Sequence, residues 1–152
     1  MTHEYRSRLI WEGGGRGTAD YATYDRSYRI GIEGKPDIAG SADPMFKGDR
    51  SKPNPEDLFV AAISSCHLLS YLALCARNRI DVASYEDDAV GTLALEPDWS
   101  GRFEEVVLRP RVTISSGDVD LAIKLHETAH KECFIASSCS CTIRNEPTVV
   151  RA

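Results

Sequence analysis

The chain of 152 residues carries 18 basic and 23 acidic residues, a net charge of −5, and 42% of its residues are hydrophobic. This composition is typical of a globular protein, and the length predicts a single domain over residues 1–152. An acidic chain without a basic patch argues against nonspecific nucleic-acid binding, which depends on clustered positive charge.

The N-terminal segment MTHEYRSRLIWEGGG is charged throughout and has no apolar run of the kind that marks a secretory signal. The longest mainly apolar stretch, residues 58–76, is interrupted by Ser64, Ser65, His67 and Ser70. We interpret it as a core helix and not as a membrane span, because a bilayer would bury those polar groups at a high cost. The sequence therefore predicts a cytoplasmic protein that does not associate with membranes.

The first third of the chain predicts strands and a long loop. Alternating residues 5–11 predict a strand that ends at a glycine cluster, and residues 21–32, rich in Tyr and Ile, predict one or two more. Residues 39–53 have no periodicity and predict a loop long enough to suggest a function.

The clearest local signal is a helix from about Pro55 to Arg77. Asn54 can cap it, Pro55 suits its first position, and acidic residues 56 and 57 complement the helix dipole. Apolar or small residues then recur with a helical period.

Further strands are predicted over residues 85–95 and 104–115, a second helix from near Asp118 through Cys133, and a last strand over residues 139–150. This order of strands, long helix, strands, helix and strand indicates an α+β fold with antiparallel sheets.

An odd number of cysteines in a chain without an export signal argues against a disulfide framework; they are Cys66, Cys75, Cys133, Cys139 and Cys141. Buried cysteine commonly acts as a small hydrophobe, and this is the simplest interpretation of each. Cys66 lies in the middle of the long predicted helix, and it would act as a nucleophile only as a thiolate beside a cation or hydrogen-bond donors.

Cys133 shares one face of the second predicted helix with His126 and His130, because spacings of three and four residues align side chains. Such a face suggests a site, although it also suits the half-exposed edge of a helix. Together with Cys66, these residues would form a nitrogen and sulfur set that suits zinc. The chain has no Cys-x-x-Cys pair, so we expect no metal.

Two arginines are candidates to stabilise a thiolate, Arg16 beside the glycine cluster and Arg26 after Tyr24-Asp25. Glu56 could orient either of them through a bidentate pair. Alternatively, the two arginines are solvated charges on strands, and Glu56 is an ordinary negative charge at a helix N-terminus.

The Asn54-Pro55-Glu56 helix start, with Cys66 ten residues after Glu56, resembles the signature of the OsmC/Ohr family, the osmotically inducible and organic hydroperoxide resistance proteins. The segment Ala129–Cys133 is similar to the family's second cysteine on a later helix. The resemblance extends over nearly the whole chain in the order of elements.

This resemblance implies an OsmC-like fold with a long central helix, in an intertwined homodimer with active sites at the subunit interface. It implies reduction of organic hydroperoxides, and for some members hydrogen peroxide, without metal, haem or flavin. By position, Cys66 resembles the peroxidatic cysteine, Cys133 the resolving cysteine and Glu56 the glutamate that holds the activating arginine. An external dithiol, such as a lipoyl or small-thiol donor, would restore the thiols.

The activating arginine has two candidates by resemblance. Arg16 resembles the arginine of a Gly-Gly-Arg turn in one branch of the family, and Arg26 a Tyr-x-Arg in the branch most similar to this chain; we favour Arg26. Ten residues of helix span about 15 Å, so we expect the Arg–Glu pair at a given Cys66 to involve loop reach or the partner subunit.

The chain departs from the family pattern at Phe134, where many members have proline, and at Cys139 and Cys141, which have no recognised counterpart. His67, His126 and His130 are typical of a less studied branch, and we predict supporting roles for them. The alternatives to a peroxidase are a non-catalytic protein of the same fold that binds a small ligand or senses oxidants, and a His/Cys zinc site.

Overall fold

The computed structural model describes residues 1–152, which form two compact units, Met1–Phe59 and Val60–Ala152. The boundary between the units lies inside the long helix. The expectation of a single domain over residues 1–152 stays a prediction.

The first unit contains an antiparallel sheet of three short strands in the order β1-β2-β3; these are β1 (Arg8–Trp11), β2 (Tyr28–Gly31) and β3 (Ile38–Gly40). The region 21–32 therefore holds one strand, and turns precede it. The carboxylate of Asp20 accepts hydrogen bonds from the amide of Ala22 and the hydroxyl of Thr23, which favours a turn over an extended strand.

Helix α1 (Pro55–Arg77) has the bounds that the sequence predicts. A reciprocal pair of hydrogen bonds fixes its start, since Asn54 Oδ1 accepts from the amide of Asp57 at 2.8 Å and Asp57 Oδ2 accepts from the amide of Asn54 at 3.1 Å. At the other end, Arg79 takes a left-handed conformation with φ of 59°. The local chemistry of a few adjacent residues thus sets both ends.

By length and composition α1 is apolar enough to cross a membrane, with a mean hydropathy of 1.9 over its most apolar window. However, the core helix of a soluble protein has the same properties, and Ile63, His67 and Tyr71 of α1 are buried within the folded chain. We therefore describe α1 as a core helix, and the cytoplasmic location stays a prediction.

The second unit contains two further three-stranded sheets, β4-β7-β9 and β5-β6-β8. Its strands and helices are β4 (Asp81–Asp87), β5 (Val90–Leu95), β6 (Gly101–Leu108), β7 (Pro110–Ser116), α2 (Val119–Glu132), α3 (Phe134–Ser137), β8 (Thr142–Asn145) and β9 (Thr148–Arg151). The α+β class is confirmed.

The pairing of the last two strands differs from the expectation of antiparallel sheets. β8 pairs with β6 and β9 with β7 in parallel, so both sheets of the second unit are mixed. The predicted last strand is also two strands, interrupted at Pro147, whose missing N–H cannot extend a ladder. Likewise, residues 85–95 divide between β4 and β5, which are separated by Asp88 and Ala89.

Helices α1 and α2 run in opposite directions where they contact each other. The hydroxyl of Tyr71 donates to the carbonyl of Ala122 at 3.1 Å, and His67 contacts His126. The core beneath them is built from α1, α2, β7 and β9, with buried residues that include Leu74, Ile114, Leu125 and Val149. This packing brings the middle of α1 to the C-terminal half of α2.

Candidate active site

Cys66, in the middle of α1, and Cys133, where α2 ends, are 67 residues apart in sequence, and their thiols lie close enough for each to affect the other's ionisation. This contact lies farther along the same two helices, which run in opposite directions. It places together the two cysteines that the sequence analysis singled out.

Cys133 is positioned by the change from one helix to the next. Its φ of −73° and ψ of 106° leave the helical region, so α2 ends there. Its sulfur then accepts a hydrogen bond from the amide of Ala136 at 3.4 Å and caps the short helix α3. The backbone therefore holds this sulfur in place beside α1.

The two sulfurs differ in exposure. Cys133 is 1% exposed, whereas Cys66 is half-buried. Burial, followed by the hydrogen bond with Cys66, raises the pKa of the Cys133 thiol. Cys133 therefore remains a protonated thiol near neutral pH and can donate to the sulfur of Cys66, which is the one that a solute can reach.

A buried histidine pair lies beside the thiols. Nε2 of His67 and Nδ1 of His126 are 3.0 Å apart, and the two rings are within 9° of parallel. The ring of His126 also lies against the ring of Tyr71, with centroids 3.8 Å apart. The sequence spacing grouped His126 with His130 and Cys133 but did not reveal that His67 of the other helix is its hydrogen-bond partner.

Both imidazoles are neutral at physiological pH. Burial lowers the pKa of His67 to about 4, with Asp87 opposing and His130 adding to the shift. Burial and the neighbouring His67 lower the pKa of His126 to about 3. Since each neutral ring carries one proton, one ring donates to the other, and the outer nitrogens of the pair are one donor and one acceptor.

Arg26 and Glu56 line a separate cavity of about 340 Å³ within the first unit. The guanidinium of Arg26 donates to the carbonyls of Tyr24 at 2.8 Å and Tyr21 at 2.6 Å, and it lies 3.7 Å from the centre of the Tyr24 ring. These contacts hold the arginine rigidly. They also explain the Tyr-x-Arg spacing, because Tyr24 offers both its carbonyl and the face of its ring to the guanidinium of Arg26.

The bidentate Arg–Glu pair is not formed in this structure. One carboxylate oxygen of Glu56 is buried and has no hydrogen-bond partner, while the guanidinium of Arg26 is occupied by backbone carbonyls. The hydroxyl of Tyr28, which lines the same cavity and which the sequence analysis did not identify, is also buried and unpaired. Arg16 is exposed and lies just beyond the 3₁₀ turn Gly13–Gly15.

The structure gathers no group of three or more His, Cys, Asp or Glu side chains that could hold a metal ion. In particular, Nδ1 of His126 is engaged by His67, which removes one ligand atom from the zinc set considered above. The zinc alternative stays a hypothesis, which elemental analysis of protein purified without chelators decides.

Together, the fold and the thiol contact define an α+β protein with two cysteines facing each other between opposed helices. The family model described as OsmC-like protein matches residues 48–149. The chain belongs to the OsmC-like protein family. A comparison with curated proteins finds no match.

Solved structures with the same fold include an OsmC-like protein of unknown function from Vibrio cholerae O1 biovar eltor, with 31% identity, 97% of this chain and 100% of that chain covered, and a TM-score of 0.88. An organic hydroperoxide resistance protein from Elizabethkingia anophelis has 18% identity, full coverage of both chains and a TM-score of 0.67. An organic hydroperoxide resistance protein from Legionella pneumophila has 13% identity, 98% coverage of each chain and a TM-score of 0.68.

Proposed function

We propose that the protein is a thiol-dependent peroxidase that reduces organic hydroperoxides, and also hydrogen peroxide, with Cys66 attacking and Cys133 resolving. The observation that carries the proposal is the proximity of the half-buried thiol of Cys66 to the buried thiol of Cys133, whose pKa is raised by burial and by Cys66. Membership of a family that includes organic hydroperoxide resistance proteins supports the substrate class.

The first step forms a sulfur–oxygen bond. The Cys66 thiolate attacks the terminal oxygen of the hydroperoxide, the O–O bond breaks, and the leaving alkoxide takes a proton to become an alcohol. Sulfur is oxidised to the sulfenic acid and the peroxide is reduced. The proton on Cys133 favours this step, because a thiol donor beside Cys66 stabilises negative charge on its sulfur.

The second step forms a disulfide. The sulfur of Cys133 displaces water from the sulfenic acid of Cys66, which joins α1 to the C-terminal end of α2. An external dithiol then exchanges with this disulfide, becomes oxidised itself and returns both cysteines to thiols. No metal, haem or flavin takes part in the proposed sequence.

Arg26 and Glu56 are proposed to assist from the partner subunit of a homodimer, with Arg26 providing the cation that favours the thiolate. The guanidinium of Arg26 is held by two carbonyls and by the ring of Tyr24. These contacts favour Arg26 over the exposed Arg16 as the activating arginine. In this proposal Glu56, whose buried oxygen is unpaired, meets its hydrogen-bond donor when the site is assembled. His67, His126 and His130 support the site by fixing α2 against α1.

Intact mass after one equivalent of cumene hydroperoxide tests the chemistry. We expect the loss of two hydrogens, mapped by peptide analysis to a Cys66–Cys133 bond, and consumption of peroxide when dihydrolipoamide is supplied. The Cys66→Ser variant should lose consumption, and the Cys133→Ser variant should accumulate a sulfenic acid that dimedone traps.

The Cys141→Ser variant is the matched control, because it removes a half-buried thiol outside the proposed pair. It should retain the activity of the wild type. Absence of turnover with every dithiol, together with no effect of Cys66→Ser, would instead favour a protein that binds a small ligand or senses oxidants. Sedimentation velocity tests whether the protein is a homodimer, independently of its activity.

A further inference from the structure

A second cleft lies along α2. It has a volume of about 490 Å³ and lies between α2 and the β8–β9 segment. Its walls combine apolar side chains, Ile123, Ile143 and Pro147, with polar ones from both segments. This mixture of an apolar wall and a few polar groups is typical of a small-molecule site.

Three polar atoms at this cleft are buried and have no hydrogen-bond partner. They belong to cleft-lining residues: Nε2 of His126, Nδ1 of His130 and Oδ1 of Asn145. His126 is 1% exposed, and because its Nδ1 faces His67, its Nε2 lies on the opposite edge of the ring. Buried polar atoms without partners are rare in folded proteins, so three of them around one cleft point to a ligand that supplies the partners.

The charges around the cleft favour an anion. On a helical wheel the lining residues of α2 run in a continuous band, from the buried His126 and the half-buried His130 to the exposed Lys124 and Lys131. Glu127 lies within the same band and offsets one of the two positive charges. The two lysines and Glu127 therefore leave one net positive charge at the open side of the cleft.

We propose that this cleft binds a small aliphatic hydroxycarboxylate. The carboxylate accepts from Nε2–H of His126 and from the lysine side chains, the hydroxyl donates to Oδ1 of Asn145, and the aliphatic part lies against Ile123 and Ile143. The site shares His126 and His130 with the supporting residues of the proposed peroxidase, but binding of the ligand does not depend on the thiol chemistry.

Binding has a consequence for the histidine pair. A carboxylate can only accept from His126 if Nε2 of that ring carries its proton. In that tautomer Nδ1 of His126 is the acceptor, and His67 must donate its Nε2–H across the 3.0 Å contact. The ligand therefore selects one of the two tautomeric arrangements of the pair.

NMR titration of histidine-labelled protein with 2-hydroxy-4-methylpentanoate tests the proposal. We expect a saturable change with a Kd near or below about 1 mM, an Nε2–H signature for His126, and shifts at Ile143. The comparison acids are 4-methylpentanoate, which lacks the hydroxyl, and 2-hydroxy-4-methylpentanamide, which lacks the charge. Each should bind about tenfold more weakly, since each leaves one group without its partner.

Variants of the cleft give a second, independent readout. Asn145→Asp and Lys131→Gln should each weaken binding of the probe by at least about threefold, whereas Lys35→Gln, in a turn of the first unit, should not change it. No saturable shift in the wild type, shifts that avoid His126 and Ile143, or equal affinity for all three compounds would each overturn the proposal. Because peroxide consumption is measured separately, failure here leaves the proposed peroxidase function unaffected.

Discussion

Nε2 of His67 on α1 lies 3.0 Å from Nδ1 of His126 on α2, although the two residues are 59 positions apart in sequence. The contact is buried, and Cys66, next to His67 in sequence, interacts with Cys133 at the end of α2. The same pair of helices therefore carries both a neutral imidazole pair and a thiol pair. The mutual position of α1 and α2 determines the geometry of each.

The histidine pair makes stability depend on pH in a defined window. The folded-state pKa values are about 4 for His67 and about 3 for His126, below the ordinary value of 6.5. Between pH 6.5 and 4 the unfolded chain thus binds protons that the folded chain does not, and the free energy of unfolding falls as the pH falls. We expect a loss on the order of 3 kcal/mol over this window, measured by urea unfolding.

The His126→Gln variant should show a smaller dependence on pH across the same window, because one titrating ring is gone. His3→Gln is the control, since His3 is exposed near the N-terminus and should leave the slope unchanged. A wild-type stability that is constant from pH 7 to pH 5 contradicts the assignment of buried neutral rings.

Oxidation should stabilise the fold. A bond between Cys66 and Cys133 closes a loop of 67 residues, and the chain-entropy estimate for a loop of this length is about 4 kcal/mol. Urea unfolding of the peroxide-treated and dithiothreitol-treated protein should differ by up to that amount. The Cys133→Ser variant should show no such difference; if it does, another pair of cysteines forms the bond.

The two arginine candidates can be separated by a conservative change. Arg26→Lys keeps the positive charge but loses the planar group that bonds to two carbonyls and lies against Tyr24. We expect kcat/KM for cumene hydroperoxide to fall by about tenfold or more. Arg16→Lys should stay within about twofold of the wild type, and the reverse result would assign the role to Arg16.

The hydroxyl of Tyr71 joins α1 to α2 by donating to the carbonyl of Ala122. Tyr71→Phe removes the donor of a buried hydrogen bond, so the free energy of unfolding should decrease by about 1 kcal/mol. Tyr5→Phe is the matched control, because Tyr5 is 92% exposed and the same change should have no measurable effect. Chemical denaturation of both variants makes the comparison.

The start of α2 depends on Asp118, whose side chain accepts from the amide of Leu121 at 2.7 Å. Asp118→Ala should therefore decrease stability by about 1 kcal/mol. The neighbouring Asp120 provides only a favourable charge in the first turn, so Asp120→Ala should cost less than about 0.5 kcal/mol. Equal effects of the two variants would show that the cap does not limit stability.

Residues close together in sequence determined the elements that could be predicted. The bounds of α1 follow from Asn54, Pro55, Asp57 and a helical apolar period, all of which act over a few residues. The α+β class and the two candidate cysteines were also predictable, because they follow from the order of elements and from local motifs.

Tertiary structure alone decided the rest. The parallel pairing of β8 and β9 and the His67–His126 contact each depend on where distant segments lie in space. Likewise, the proximity of Cys66 and Cys133 exists because α1 and α2 pack with opposed directions around a shared core. Local propensities act over one or two turns, whereas the meeting of side chains 59 or 67 residues apart is set by the burial of apolar surface across the whole unit.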